Sequence, residues 1–259
     1  MNRIYNLFNK KKNNILSVYF TAGYPTLQST AEIINTLDKK GIDLIEVGVP
    51  FSDPMADGPT IQESSAIALR NGMNLKLLLN QIKEARKNSP DIPLVLMGYL
   101  NPMMQYGITN LFEDCKNVGV DALIIPDLPF DDYIKEFKSL CDQYDIPMIM
   151  LITPETSPER IELIDRHCDG FIYMVSAAAT TGTREDFNTE QLEYFERVNS
   201  MKLKHERLIG FGISNPKTLM SANQNASGAI VGSLFIKCLA TEPSIEQAVN
   251  KLLATLGKS

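Results

Sequence analysis

The sequence predicts a (β/α)8 barrel, and three observations carry that expectation. Short apolar runs alternate strictly with longer helical patterns from one end of the chain to the other. Most runs are continuously apolar rather than alternating, as strands buried on both faces and paired in parallel are. Eight such runs fit into 259 residues, close to the usual span of about 250 for one such barrel. No linker, low-complexity stretch or Pro/Gly break divides the chain, so residues 1–259 read as a single α/β domain. A doubly wound open sheet is the alternative. It would want a glycine fingerprint after its first strand, and Phe20-Thr21-Ala22-Gly23-Tyr24-Pro25 supplies none.

The elements follow in order. Residues 1–14 are polar and amphipathic and suit a short N-terminal helix. Ile15–Thr21 is the first predicted strand. The helix after it spans Ser29–Lys40, with Ala31, Ile33, Ile34 and Leu37 on one face and Gly41 as its C-terminal stop. Leu44–Val49 is the second strand, followed by helices over Thr60–Arg70 and Asn74–Lys87. Leu94–Tyr99 is the third, with a helix core at Asn110–Asn117. Ala122–Pro126 is the fourth, with a helix over Asp131–Tyr144. Pro147–Ile152 is the fifth, and Ser157-Pro158 opens the next helix as N-cap and first-turn proline. Phe171–Val175 is the sixth, with a helix over Glu190–Val198. Leu208–Phe211 is the seventh, and Asn215-Pro216 opens the helix behind it. Gly228–Val231 is the eighth, closed by a helix over Ser244–Leu256.

Composition narrows the function. The chain is 44% hydrophobic and 22% charged, with a net charge of −6. Its longest basic run is Lys10-Lys11-Lys12, which argues against a nucleic-acid duplex as partner. Cys115, Cys141, Cys168 and Cys238 match no metal spacing and read as free thiols in a reducing compartment. No signal-like apolar core and no run of about 18 apolar residues occurs, so a cytoplasmic protein is expected.

In such a barrel the chemistry lies at the C-terminal ends of the strands. Glu46 stands inside the apolar second run, and Asp57 follows on the loop that leaves it. Two carboxyls facing one cavity is one reading. The other has Glu46 pointing outward to a lysine and Asp57 capping the helix near Thr60. Glycines at Gly182, Gly212 and Gly232, the last with Ser233, fall after the sixth, seventh and eighth strands. Backbone N–H groups there suit a phosphate. Phe20, Ile61, Met97, Tyr99, Ile124, Tyr173 and Phe211 are candidates to line an apolar, aromatic slot, with barrel core as the plainer alternative for each. His167 and His205 precede strands, at the wrong end, and neither has a partner at metal-ligand spacing. No Schiff-base lysine stands at a strand end, Lys237 being the nearest, and no nucleophile–histidine pair is evident. Proton transfer is left to Glu46, Asp57, Asp127 and Tyr173, without metal or covalent intermediate.

At these residues the chain resembles the tryptophan synthase α subunit family. The stretch I-E-V-G-V-P-F-S-D-P-M-A-D-G-P-T-I-Q (Ile45–Gln62) is similar to that family's signature. Tyr99–Asn101, Pro126-Asp127-Leu128-Pro129, Gly210–Ser214 and Gly232-Ser233 match in order and spacing. The resemblance implies a phosphate-binding barrel that cleaves indole-3-glycerol phosphate to indole and glyceraldehyde 3-phosphate. It implies Glu46 as general acid–base and Asp57 as the partner of the indole N–H. Tyr173 would touch substrate, and Gly182, Gly212, Gly232 and Ser233 would cup the phosphate. Thr181 would be a lid residue that bonds Asp57 on closure. Asp53, Pro54, Asn101 and Pro102 would meet a β subunit in an α2β2 heterotetramer. Pyridoxal phosphate is expected only in that partner, and no cofactor in this chain. One stretch departs from the family pattern: Ser176-Ala177-Ala178-Ala179-Thr180-Thr181-Gly182 has alanine where S-x-x-G-V-T-G has glycine. Thr183-Arg184-Glu185-Asp186 resembles a lid tip. Three rivals remain: a lyase that needs no β subunit, a non-catalytic activating subunit, and another phosphosugar barrel enzyme.

Overall fold

The computed structural model describes residues 2–176 and 186–258. The strands are Ile15–Thr21 (β1), Leu44–Gly48 (β2), Leu94–Met97 (β3), Ala122–Ile124 (β4), Met150–Ile152 (β5), Phe171–Val175 (β6), Glu206–Gly210 (β7) and Gly228–Val231 (β8). The helices begin with Arg3–Lys10 (α1), Ser29–Lys39 (α2), Pro59–Arg70 (α3), Leu75–Ala85 (α4), Leu100–Tyr106 (α5) and Ile108–Val118 (α6). A short turn Phe130–Asp132 (α7) leads through a π-helical stretch, Tyr133–Phe137, into Lys138–Tyr144 (α8). Pro158–His167 (α9), Thr189–Ser200 (α10), Pro216–Asn225 (α11), Ser233–Thr241 (α12) and Ile245–Thr255 (α13) complete the set.

All strand pairs are parallel, in the order β4-β3-β2-β1-β8-β7-β6-β5. The outermost two meet at a single bridge between Leu123 and Met148. There the Leu123 N–H donates to Pro147 O at 3.0 Å and the Ile149 N–H donates to Leu123 O at 2.8 Å, which closes the sheet into a barrel. The predicted eight-fold alternation is therefore the observed architecture.

Three stretches depart from the expected elements for local reasons, beyond shifts of a few residues at strand ends. The helix expected over Asp131–Tyr144 is broken by the π stretch, which carries the buried Tyr133 and Phe137. Helix α5 lies outside the expected elements: it is short and carries Pro102 in its first turn, where a proline is tolerated. Helix α12 leaves no separate signal in the sequence because it begins directly after β8 with no side-chain cap, so its apolar residues merge with those of the strand.

Side-chain direction alternates along each strand. Ile15, Leu44, Val95, Ala122, Ile149, Phe171, Leu208 and Ile230 fill the interior. Leu16, Val18, Ile45, Val47, Leu94 and Leu96 face the helices. Helix α1 plugs the N-terminal end of the barrel, inserting Ile4 and Phe8, with Phe8 and Phe171 5.8 Å apart. Asn2 caps that helix through the Ile4 N–H, and its amide donates to Asp121 O at 2.7 Å and Asp145 O at 2.8 Å. Those two carbonyls flank the β4–β5 seam, so the cap also ties the seam.

Asp121 braces the same end. Its carboxylate accepts from Arg3 at 2.9 Å, from Arg86 at 2.8 Å and from the Leu94 N–H at 2.9 Å, and it is 3% exposed. Asp43 repeats the arrangement before β2, with Lys11 and the Leu16 N–H as donors. Removing one partner of a buried pair leaves the other charge uncompensated. Asp121→Ala is expected to cost about 3 kcal/mol or more in urea unfolding. A loss below about 1 kcal/mol would show that Arg86 needs no counter-charge.

Candidate active site

Strand β2 is the centre of the site. Glu46 pairs in register with Tyr19 on one side and Val95 on the other, and its side chain points into the barrel. It is fully buried. Its Oε1 accepts from the Ser17 hydroxyl at 3.0 Å, and its Oε2 has no partner among the described residues. Burial pushes the carboxyl up to about 8, only partly offset by the Ser17 bond. At neutral pH it holds its proton. The outward, lysine-paired reading of Glu46 is thereby removed.

Asp57 lies on the loop between β2 and α3, just ahead of Gly58 and Pro59. The N-cap of α3 is Gly58, so Asp57 is not the cap. Its Oδ2 accepts from the Tyr99 hydroxyl at 3.0 Å, and the Tyr99 hydroxyl oxygen in turn accepts from the Ala56 N–H at 2.9 Å. Tyr99 stands at the start of α5 and stacks on Phe51, centroids 5.2 Å apart. Burial raises the Asp57 carboxyl to about 6, with the Tyr99 bond opposing. Two carboxyls at one end of one barrel thus hold opposite protonation states at neutral pH.

The sequence-named residues divide clearly. Ile124 and Tyr173 are in the barrel interior, and Phe211 packs edge-on against Tyr173 at 6.3 Å. The Tyr173 phenol is buried beside Glu46 and Asp57, which with desolvation keeps it protonated. Ile61 is buried in the first turn of α3. Phe20 is the correction: on β1 it falls in step with Leu16 and Val18, and all three pack against the helices, away from the interior. The residue that takes the inward place is Tyr19. A Cβ placed on Gly48 would stand 2.1 Å from the Tyr19 hydroxyl, and one on Gly232 would stand 3.4 Å from its ring. The Tyr19 phenol feels burial first and then Asp57, Tyr99 and Glu46 among its neighbours. Asp127 is drawn off the proton-transfer set: it is exposed and accepts from the Leu100 N–H at 2.9 Å, capping α5.

On the other side of the rim, Phe211 and Gly212 both have positive φ, 69° and 79°. Glycine is required at 212 by conformation, since a Cβ there would meet nothing closer than 3.6 Å. Phe211 bears that strain without such freedom; the Ser176 hydroxyl donates to its carbonyl at 2.7 Å and holds the turn. Gly232 and Ser233 form the start of α12, whose first-turn N–H groups suit an anion. Thr181 and Gly182, with the rest of the expected lid through Glu185, lie outside the described residues. Asp53 and Asn101 are exposed, Pro54 and Pro102 partly so, and the loop and α5 also expose Met55 and Met104.

His167 and His205 stand at the opposite end, just before β6 and β7. No cluster able to hold a metal occurs among the described residues. The four cysteines are free and buried. No helix among the described residues is long and apolar enough to cross a membrane.

Comparison with known proteins agrees with this geometry. The sequence model described as tryptophan synthase alpha chain matches residues 5–259. The tryptophan synthase alpha chain of Parabacteroides distasonis is 57% identical over 99% of both chains, and that of Phocaeicola vulgatus 56% over 99% of both. Among solved structures, tryptophan synthase subunit alpha from Legionella pneumophila superposes with a TM-score of 0.88 at 32% identity, covering 99% of this chain and 97% of that one. The A-subunit from Pyrococcus furiosus gives 0.87 at 35% identity, covering 95% and 98%. The barrel and the match over nearly the whole length converge, and the chain belongs to the tryptophan synthase alpha chain family.

Proposed function

We propose that this chain, acting as one barrel domain, cleaves indole-3-glycerol phosphate to indole and glyceraldehyde 3-phosphate for tryptophan synthesis. The observation that carries the reading is the pair Glu46, fully buried, and Asp57, half-buried on the loop that leaves the same strand, with carboxyls raised to about 8 and about 6. Glu46 gives its proton to ring carbon C3. The ring becomes an indolenine cation, which Asp57, ionised, stabilises at the ring N–H. The bond from C3 to the glycerol carbon then breaks, and its electron pair restores the neutral indole. The hydroxyl on the departing carbon becomes the aldehyde as its proton passes back to Glu46. Protons and electrons balance, and the electron sink is the ring itself. Lysine and metal have no step to perform.

Tyr99, Tyr173, Ile124, Ile61 and Phe211 surround the ring, and Tyr19 takes the place that the sequence suggests for Phe20. Gly212, Gly232 and Ser233 hold the phosphate through backbone N–H groups, and for Gly182 and Thr181 the phosphate and lid roles rest on the family resemblance alone. The chain needs no cofactor of its own, and pyridoxal phosphate belongs to the β partner. It works in the cytoplasm, as half of an α2β2 assembly. Asp53, Pro54, Asn101 and Pro102 face the β subunit. Met55, 95% exposed on that loop, and Met104, 58% exposed on α5, supply the apolar contact such a face needs.

Indole release tests this directly. The purified chain is expected to release indole slowly, and at least tenfold faster with β subunit present. Asp53→Ala is expected to lose most of that acceleration while its melting temperature and unassisted rate stay unchanged. Fast release indifferent to β subunit would point instead to a stand-alone lyase. Absence of release in both conditions would overturn the assigned reaction.

A further inference from the structure

Ser17 is a hydroxyl in an apolar place. It lies fully buried on the inward face of β1, in register between Leu44 on β2 and Ile230 on β8. A buried hydroxyl without a partner is costly, and an alanine would fill that layer with no polar group to satisfy. Its recorded partner is Oε1 of Glu46. The other oxygen, Oε2, is buried and unbonded among the described residues. The two oxygens of one carboxyl are thereby made unequal.

We propose that Ser17 is a positioning residue for proton transfer: it holds Oε1 of Glu46 and leaves Oε2 as the oxygen that carries and delivers the proton. The inference rests on the reading of Glu46 as the general acid. When the Oε2–H bond breaks and the ring C3–H bond forms, the O–H electron pair stays on the carboxylate. The Ser17 hydroxyl already points at the oxygen where that charge spreads, so its bond strengthens in the transition state. When the glycerol hydroxyl later loses its proton, Oε2 is free to take it. Without Ser17, Glu46 is a weaker acid and its anion loses the one hydrogen-bond donor it has among the described residues.

The surroundings leave little else to do this. From β1, Tyr19 faces Glu46, and from β6, Tyr173 does; both phenols are raised by burial and stay neutral. Asp57, with Tyr99 bonded to it, bears on those same phenols. The register neighbour on β3 is Val95, which is apolar.

The test compares the full chain with Ser17→Ala, Ser17→Thr and Glu46→Gln, reading kcat and KM against pH. In parallel, the Glu46 carboxyl is titrated by 13C NMR, its signal assigned by its absence in Glu46→Gln. Ser17→Ala is expected to lower kcat about tenfold near pH 7 with KM within about twofold. Both the alkaline limb and the NMR midpoint should move up by about one unit. Ser17→Thr, which keeps the hydroxyl, is expected to restore both. An unmoved NMR midpoint in Ser17→Ala, or a threonine variant no better than alanine, overturns the inference. If Glu46→Gln is inactive while Ser17→Ala keeps the wild-type profile, the role of Ser17 falls and that of Glu46 stands. If Glu46→Gln still turns over, both fall.

Discussion

Glu46→Gln is expected to lower indole release by about 10⁴-fold, the upper range for loss of a general acid–base group. The amide keeps the shape of the side chain and a hydrogen bond to Ser17, but it can neither give nor take the proton. The loss should be in kcat, with KM little changed, because the missing interaction belongs to the transition state. The wild-type profile of kcat/KM is expected to be a bell. Its alkaline limb lies near 8, where Glu46 loses its proton, and its acid limb near 6, where Asp57 gains one. Stability gives an independent check on the same group. In the native state Glu46 keeps its proton up to about 8, whereas in the unfolded chain it titrates near the ordinary glutamate value of about 4.3. Across that window the native state binds more protons, so this residue's contribution to stability falls as pH rises. Glu46→Gln removes that slope, and at pH 8 the variant is expected to melt at or above the wild-type temperature. A variant within tenfold of wild-type turnover, or one whose stability keeps the wild-type slope, would remove Glu46 from the mechanism.

Glu46 was legible in the sequence because a carboxylate in the apolar run Leu44–Val49 breaks the composition of a buried strand. The run around Phe20 offered no such contrast. Ile15–Thr21 is buried at every position, so apolarity alone does not say which side chains point inward. The signal that was present is the pair of small hydroxyls, Ser17 and Thr21, which share a face with Tyr19. Both are used: Ser17 on Glu46, and Thr21 at 2.6 Å from the Ser64 hydroxyl of α3. Asp57 was legible as a loop carboxyl, but its partner was not, since Tyr99 reaches it from the far end of β3 through tertiary packing alone. Gly48 reads as an ordinary strand residue; only the three-dimensional arrangement shows that its missing Cβ makes room for the Tyr19 hydroxyl. The braces at Asp43 and Asp121 sit in the matching stretches Gly41-Ile42-Asp43 and Gly119-Val120-Asp121, each just before a strand. That repeat marks the end of the barrel that serves stability, opposite the carboxyl pair.

Asp57→Asn is expected to lower kcat by 10²- to 10³-fold, the usual size of losing one electrostatic group aimed at developing charge. The argument starts from how firmly Asp57 is placed. Its own N–H donates to Pro54 O at 3.3 Å, and its Oδ2 receives the Tyr99 hydroxyl. Tyr99 is fixed in turn by the Ala56 N–H and by stacking on Phe51. Asparagine can accept the same hydrogen bond, so this substitution removes charge while leaving the brace in place. Asp57→Ala removes both and is expected to be no more active. Tyr99→Phe separates the two contributions. It leaves the charge but deletes the donor that holds the Asp57 carboxyl down against burial. The acid limb of the profile should therefore rise from about 6, with kcat at pH 8 reduced only about tenfold or less. The two variants thus have opposite signatures: Asp57→Asn is slow at every pH and lacks the acid limb, whereas Tyr99→Phe is slow mainly in acid. An Asp57→Asn enzyme within threefold of wild type would show that the indolenine charge needs no counter-charge at this position. A Tyr99→Phe acid limb that stays in place would show that the phenol does not set the ionisation of its neighbour.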